Sequence, residues 1–251
     1  MNLQKLRRLI LLLSLLLLPV TLFYLSPVLI IEGAVSGIFA GSAIIFTLIF
    51  FLSLFAGRIW CGWVCPFGSL QDLSREIQGK RVTNPWINRF RYGLFVIWIL
   101  MLFTLFIKAG GILSVEPFYQ TTGGLSITSP QELIMYTGLA LGITAIALIV
   151  GRRGMCHLFC PISVLMIVGR KIRNVIGLPA LQLVANPENC ISCGRCTKEC
   201  SQSLDVFSMV EEKQMEQAEC ILCGACIDVC PRDVIRFSFG RPEKKDRRKM
   251  I

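Results

Sequence analysis

The chain has 251 residues, 54% of them hydrophobic, a mean hydropathy of +0.64 and a formal charge of +10. This composition excludes an ordinary soluble domain and indicates a membrane protein. The first 183 residues hold 15 of the 26 Lys+Arg but only 5 of the 16 Asp+Glu, so the whole excess sits in the apolar part. Basic loops held at an anionic inner leaflet account for it, and no nucleic-acid partner is expected.

In chain order, Lys5, Arg7 and Arg8 precede an uncharged run over residues 9–31, enough to cross a bilayer at about 20 residues per span. A signal peptide is the competing reading, but the run exceeds the roughly 7–15 residues of such an apolar region, and no small-x-small cleavage site follows. Glu32 and Gly33 make a short turn, and residues 33–57 form a second span. A basic segment, residues 58–91, carries Cys61 and Cys65. Within it Ser69 is a candidate cap for a surface helix with Leu70, Leu73 and Ile77 on one face. Residues 92–115 give a third span that tolerates Lys108 near its end. A loop with Glu116, Pro117, Tyr119, Gly123 and Gly124 leads to a fourth span over 133–151. Arg152 and Arg153 then introduce Cys156, His157 and Cys160. Residues 162–169 are too short to span and are read as interfacial or re-entrant, and residues 172–187 link them to a cysteine-rich region. A charged tail over residues 243–249 is expected to be solvated. Lys and Arg crowd the loops on one side, which places both termini and every cysteine in the cytoplasm, a reducing compartment.

The cysteine-rich region repeats one spacing. Cys190, Cys193, Cys196 and Cys200 follow C-x2-C-x2-C-x3-C, and so do Cys220, Cys223, Cys226 and Cys230. Bacterial ferredoxins hold two [4Fe-4S] cubanes with this pattern, the fourth cysteine of each run serving the other cluster. Cys230 is therefore grouped with Cys190, Cys193 and Cys196, and Cys200 with Cys220, Cys223 and Cys226. Gly194 and Gly224 sit mid-loop, where backbone amides can approach sulfur. Pro231 follows the second run, whereas Ser201 follows the first. A disulfide or zinc framework is the competing reading, and the eight-cysteine double repeat disfavours it.

The other four cysteines form an internal repeat. Gly57-Arg58-Ile-Trp60-Cys61-Gly-Trp63-Val-Cys65-Pro66 matches Gly151-Arg152-Arg-Gly-Met-Cys156-His157-Leu-Phe-Cys160-Pro161 with one residue inserted, each after a pair of spans. Two cysteines four apart share a helix face, and the proline then breaks the helix or starts a new one. Two such faces meeting would gather four thiolates, the number for a third [4Fe-4S] cluster, with Arg58, Arg152 and Arg153 offsetting its charge. Zinc, copper handling and a thiol/disulfide couple are the other readings. Trp60 and Trp63 read as interfacial belt residues or cofactor contacts, and His157 as a polar interfacial residue or a partner of a cluster. With a single histidine the chain alone cannot hold a transmembrane haem b between two such ligands.

These motifs in this order resemble the membrane-bound polyferredoxins of the NapH type, and the C-terminal region of the NosR family. The resemblance covers nearly the whole chain and is carried by the twelve cysteines with Pro66 and Pro161. It implies a four-helix transmembrane domain over residues 1–183, built as a duplicated hairpin plus C-x3-C-P unit. An α+β two-cluster ferredoxin domain over 184–240 and a basic tail over 241–251 complete the expected layout. It also implies electron exchange between the membrane quinone pool and other subunits of a redox complex, such as a ferredoxin-like protein, a cytochrome, a reductase or a hydrogenase. The alternative function is a redox-active assembly or regulatory protein. For a quinone site, only Glu116 and Tyr119 on the outer side or the Trp60 region on the inner side suggest themselves.

Overall fold

A computed structural model describes residues 3–242, so the tail expected over 243–249 lies outside the described residues. The apolar half begins with α1 (Leu3–Leu16), α2 (Leu18–Thr21), a 3-10 turn (Phe23–Leu25) and α3 (Pro27–Val35). A single continuous helix over residues 9–31 is therefore not what forms. Pro19 removes a backbone donor inside the run, and Pro27 drives Ser26 to an extended ψ of 119°, from which its side chain caps Leu29 N. Strand β1 (Ile38–Ala40) and α4 (Gly41–Ala56) follow. At 16 residues α4 is about 24 Å long, short of the ~30 Å apolar core of a bilayer.

After α5 (Ile59–Trp63) and α6 (Pro66–Ser74) comes α7 (Pro85–Lys108). Strand β2 (Ser114–Glu116) then pairs in parallel with β1, in register Phe39↔Val115. Next is α8 (Pro130–Val150), opened by a capping box in which Ser129 and Glu132 satisfy each other's backbone amides. Two helices, Trp86–Lys108 and Pro130–Val150, are long and apolar enough to cross a membrane. Only 6% and 11% of their most apolar windows are buried, which no core helix of a soluble protein would show. Phe103, Ile107, Ile134, Leu141 and Ile149 instead point outward, an apolar surface that water would not tolerate on a monomer.

The repeat read in the sequence is a structural repeat. Gly57 ends α4 with φ +54° and Gly151 ends α8 with φ +119°, conformations that favour glycine. After each comes a one-turn helix, α5 or α9 (Gly154–Leu158), then an extended cysteine, Cys65 or Cys160. A proline next starts α6 or α10 (Pro161–Ile176). Ser69 lies inside α6, buried, because Cys65 and Pro66 already begin that helix; it is not the cap. The piece expected to be interfacial over 162–169 is the first half of α10. That helix packs along α4 so tightly that a Cβ on Gly169 would collide with Ser53 Oγ.

The ferredoxin-like part is bracketed by β3 (Ala180–Ala185) and β4 (Ile235–Gly240), antiparallel with Ala180 opposite Gly240. Between them lie α11 (Arg195–Glu199), α12 (Val206–Glu211) and α13 (Ala225–Asp228). The expected boundary at residue 184 falls within β3, and part of the linker expected over 172–187 is the end of α10. Leu183, Val206, Met209, Val210, Leu222 and Ile235 form this part's own core. A second core joins Phe46, Ile49, Ile162 and Met166 of the helices to Ile221 and Ala225 of the last cysteine loop, so the two halves share packing.

Candidate metal centres

The two cysteine runs fold as matched loops. Ser192 and Gly194 in the first, and Leu222 and Gly224 in the second, all adopt left-handed backbone. The chain therefore curls around each site with its amides turned inward, as a nest does around an anion. Leu222 does this fully buried, an unfavourable state for a branched side chain that surrounding structure must enforce. One cavity is lined by Cys190, Cys193, Cys196 and Cys230, and a second by Cys200, Cys220, Cys223 and Cys226. Each gathers three cysteines of one run with the last of the other.

Cys61, Cys65, Cys156 and Cys160 line a third cavity, in the apolar half. The first three are buried. Gln71 of α6 ties the repeats together: its Nε2 donates to Cys156 Sγ at 3.4 Å while its Oε1 accepts from Met155 N at 3.0 Å. Burial pushes the Cys160 thiol up to about 12, with Cys156 and Cys61 adding to the shift. Burial likewise pushes Cys200 up to about 12, with Cys223 and Cys220 contributing. Bare thiols here stay protonated, and a bound cationic group is what would displace the protons. The thiols of each set surround a cavity, which suits a polynuclear group.

The neighbours of this third site differ in part from expectation. Trp63 Nε1 donates to Leu222 O at 2.9 Å, linking the repeat to the ferredoxin part rather than to a bilayer surface. Trp60 packs against the shared core, and its indole N–H is buried without a partner. His157 is buried, not interfacial. Its Nδ1 meets Asn88 Oδ1 at 2.9 Å, its Nε2 has no partner, and burial, reinforced by Arg91, drops its pKa to about 3. It is a neutral imidazole.

Arginines crowd the junction. Arg58 Nη1 donates to Glu219 Oε2 at 3.0 Å and Glu219 O at 2.9 Å, Arg91 Nη2 donates to Glu219 Oε1, and both guanidinium groups reach Ser163 Oγ. Arg153 chelates Asp72 at 2.9 Å through two nitrogens and donates to Cys61 O at 2.5 Å, while Arg7 joins Asp72 to Gly62 O. Burial alone would raise the Asp72 carboxyl; Arg153 and then Arg7 outweigh it and hold it below the usual carboxylate range. Arg170 chelates Glu216 at 2.6 and 2.8 Å. Arg58 and Arg153 thus stand near the third site as expected. Arg152 does not: it donates to Lys198 O at 2.6 Å and Cys200 O at 3.4 Å, beside the ferredoxin cysteines. None of Asp72, Glu216, Glu219 or Gln71 was singled out by sequence reasoning, since spacing carries no signal for partners from 46 to 161 residues away.

Two helical repeats and a pair of cysteine loops, each set enclosing a thiol-lined cavity, define an iron–sulfur protein of the ferredoxin type. Comparison with known proteins agrees. The family described as a 4Fe-4S binding domain matches residues 39–85 and again 133–179, once per repeat, and the 4Fe-4S dicluster domain matches 182–231. YccM of Escherichia coli is 23% identical over 195 residues, 74% of this chain and 53% of that protein. The methylamine utilization ferredoxin-type protein MauN of Methylobacillus flagellatus is 29% identical over 186 residues, covering 70% of this chain and 60% of that protein. The ferredoxin-type protein NapH of Haemophilus influenzae is 28% identical over 204 residues, 67% of each. The chain spans about half the length of YccM. No solved structure matches. The chain is an iron–sulfur electron-transfer protein, similar to the ferredoxin-type proteins NapH and MauN and carrying two matches to the 4Fe-4S binding domain and one to the 4Fe-4S dicluster domain.

Proposed function

We propose that this chain moves electrons between a membrane quinone pool and a redox partner through three [4Fe-4S] centres. Cys190, Cys193, Cys196 and Cys230 would hold the first, Cys220, Cys223, Cys226 and Cys200 the second, and Cys61, Cys65, Cys156 and Cys160 the third. When bound, such centres supply one-electron transfer with little rearrangement. The protein positions them, withholds water and sets the charge around them.

One observation carries the reading. The loops of the second and third sites meet backbone to backbone: a Cβ on Gly62 would collide with Ile221 O, and Trp63 bonds to Leu222 O. A cysteine pair serving only as buried packing has no reason to abut a ferredoxin loop so closely. Arg58, Arg91, Arg153 and Arg170 lie against these loops, where they offset the negative charge of thiolate ligands and make reduction less costly. At the other end Cys193 and Ile191 are exposed, an approach surface for a partner subunit. The apolar half would cross the inner membrane four times, with the broken unit Leu3–Val35 as the first span, β1 and α4 together reaching about 34 Å as the second, and both termini and the ferredoxin domain cytoplasmic.

The test is anaerobic purification of the full chain with iron and sulfide analysis, EPR, and reduction by a quinol. About twelve irons per chain and clusters reduced by quinol are expected. About eight irons would remove the third centre, and clusters indifferent to quinol would remove the link to the quinone pool.

A further inference from the structure

The cavity that holds the third cysteine set continues well beyond the thiols. Its volume is about 550 Å³, within the ~300–1,000 Å³ usual for small-molecule sites. Leu22, Leu25 and Leu29 wall one side, and Leu139 and Ile143 of α8 the other. Val28, Met135 and Leu139 line it and are exposed, so it opens sideways between α3 and α8, onto the same apolar surface that α8 presents outward.

Away from the thiols the lining turns polar, with Glu32, Gln120 and Glu132. Glu132 is committed elsewhere, since its carboxylate accepts from Thr128 N at 2.6 Å and Ser129 N at 2.8 Å. Glu32 is not. It is the one charged residue between Arg8 and Arg58, and it makes no ion pair among the described residues. Glu32 is exposed on α3, so its carboxylate is free to meet a ligand at the edge of the cavity. Gln120 lines the same cavity with a left-handed φ of +59°, unusual for a residue with a side chain.

The occupant these features select must enter from an apolar phase, offer oxygens to a carboxylate and an amide, and exchange electrons with a centre held by the four thiols. We infer that the cavity is a quinone headgroup site, with Glu32 and Gln120 as its polar contacts. This rests on the quinone reading above and gives it a location. Glu116, Tyr119 and Trp60 do not line the cavity.

The experiment uses the full chain in lipid nanodiscs and an azido-substituted naphthoquinone as photolabel, with labelled peptides identified by mass spectrometry. Label is expected in Pro27–Val35 and Pro130–Val150 and is displaced by unlabelled naphthoquinone. Leu139→Trp, which fills the mouth from an already exposed position, should reduce labelling at least 10-fold, and Glu32→Gln should weaken it. Ile149→Trp, exposed on α8 but outside the cavity, should leave it unchanged, and equal iron content shows that the variants fold. Label elsewhere, or label displaced by excess phospholipid but not by naphthoquinone, would overturn the site. Quinol reduction of the clusters that persists in Leu139→Trp would also overturn it, leaving the proposed function standing. Cavity labelling without any quinol-dependent reduction would uphold the site and sink the function.

Discussion

Glu219 is the residue on which the junction between the halves turns, and Glu219→Gln tests it. The carboxylate, 20% exposed, faces Arg58 and Arg91, whose side chains are both 0% exposed. Breaking a buried pair by removing one partner's charge costs about 3–5 kcal/mol, because the remaining charge is left without a counterion. Here the arginines keep neutral acceptors in Ser163 Oγ, Cys156 O and Glu219 O, so the lower end, about 3 kcal/mol, is expected. At 1.36 kcal/mol per decade this is roughly a hundred-fold shift toward an undocked ferredoxin part. Native-state hydrogen exchange of the full chain reads it directly. Amides of the α5 segment and the loop from Glu219 to Cys226 should exchange about a hundred-fold faster, while those in the middle of α8 should not change. Glu212→Gln, on an exposed residue of the same part, is the control. Exchange in the two loops that matches the control would refute the claim that this ion cluster holds the halves together.

Asp72→Asn should destabilise the apolar half by about 3–5 kcal/mol, since Arg153 and Arg7 are both buried, and thermal unfolding in detergent measures it. The folded Asp72 carboxyl lies below its unfolded value, so its contribution is complete above about pH 4 and is lost as pH falls through the lower folded value. The stability difference between wild type and Asp72→Asn should shrink below that point, and a constant difference down to the acid limit would contradict the assignment. Gly62→Val forces a side chain into Ile221 O and should cost about 1–3 kcal/mol, whereas Gly93→Ala on α7, with nothing within 4 Å of the added carbon, should be neutral or stabilising by up to about 1 kcal/mol. Cys156→Ala should lower iron by about four per chain and leave the two ferredoxin signals in the EPR spectrum; unchanged iron would show that the third thiol set holds no cluster.

The parts of the molecule visible in the sequence are those written in short spacings. The two C-x2-C-x2-C-x3-C runs and the repeated C-x3-C-P pairs are local patterns, and the structure gathers each set around a cavity. The break in the first apolar run was not visible by hydropathy, because hydropathy scores side chains whereas the break comes from backbone donors lost at Pro19 and Pro27. The arginine cluster was hidden for another reason. Arg58 and Glu219 are 161 residues apart, and nothing in either neighbourhood marks them as partners. The cavity proposed for a quinone likewise assembles from α3, α8 and both cysteine pairs, so no single stretch announces it.

That hidden arginine cluster changes how the basic character of the chain should be read. Of the 15 Lys+Arg in the first 183 residues, Arg7, Arg58, Arg91, Arg153, Arg170 and Arg173 are buried, spent on Asp72, Glu216, Glu219 and on carbonyls of the cysteine loops. They meet no lipid headgroup, so headgroup attraction cannot explain them, and a positive-inside count that includes them is inflated. The nine that remain are Lys5, Arg8, Arg75, Lys80, Arg81, Arg89, Lys108, Arg152 and Lys171. Arg75, Arg81 and Arg152 bond to Glu199, Ser203 and Lys198 of the ferredoxin part, and Lys5 and Arg8 share α1 with Gln4, which bonds to Cys223 O. Lys108 stands alone at the far end of α7. The asymmetry survives on the charges that are exposed, since Lys5, Arg8, Lys80, Arg89 and Lys171 stand against Lys108 alone, and it is consistent with the proposed orientation.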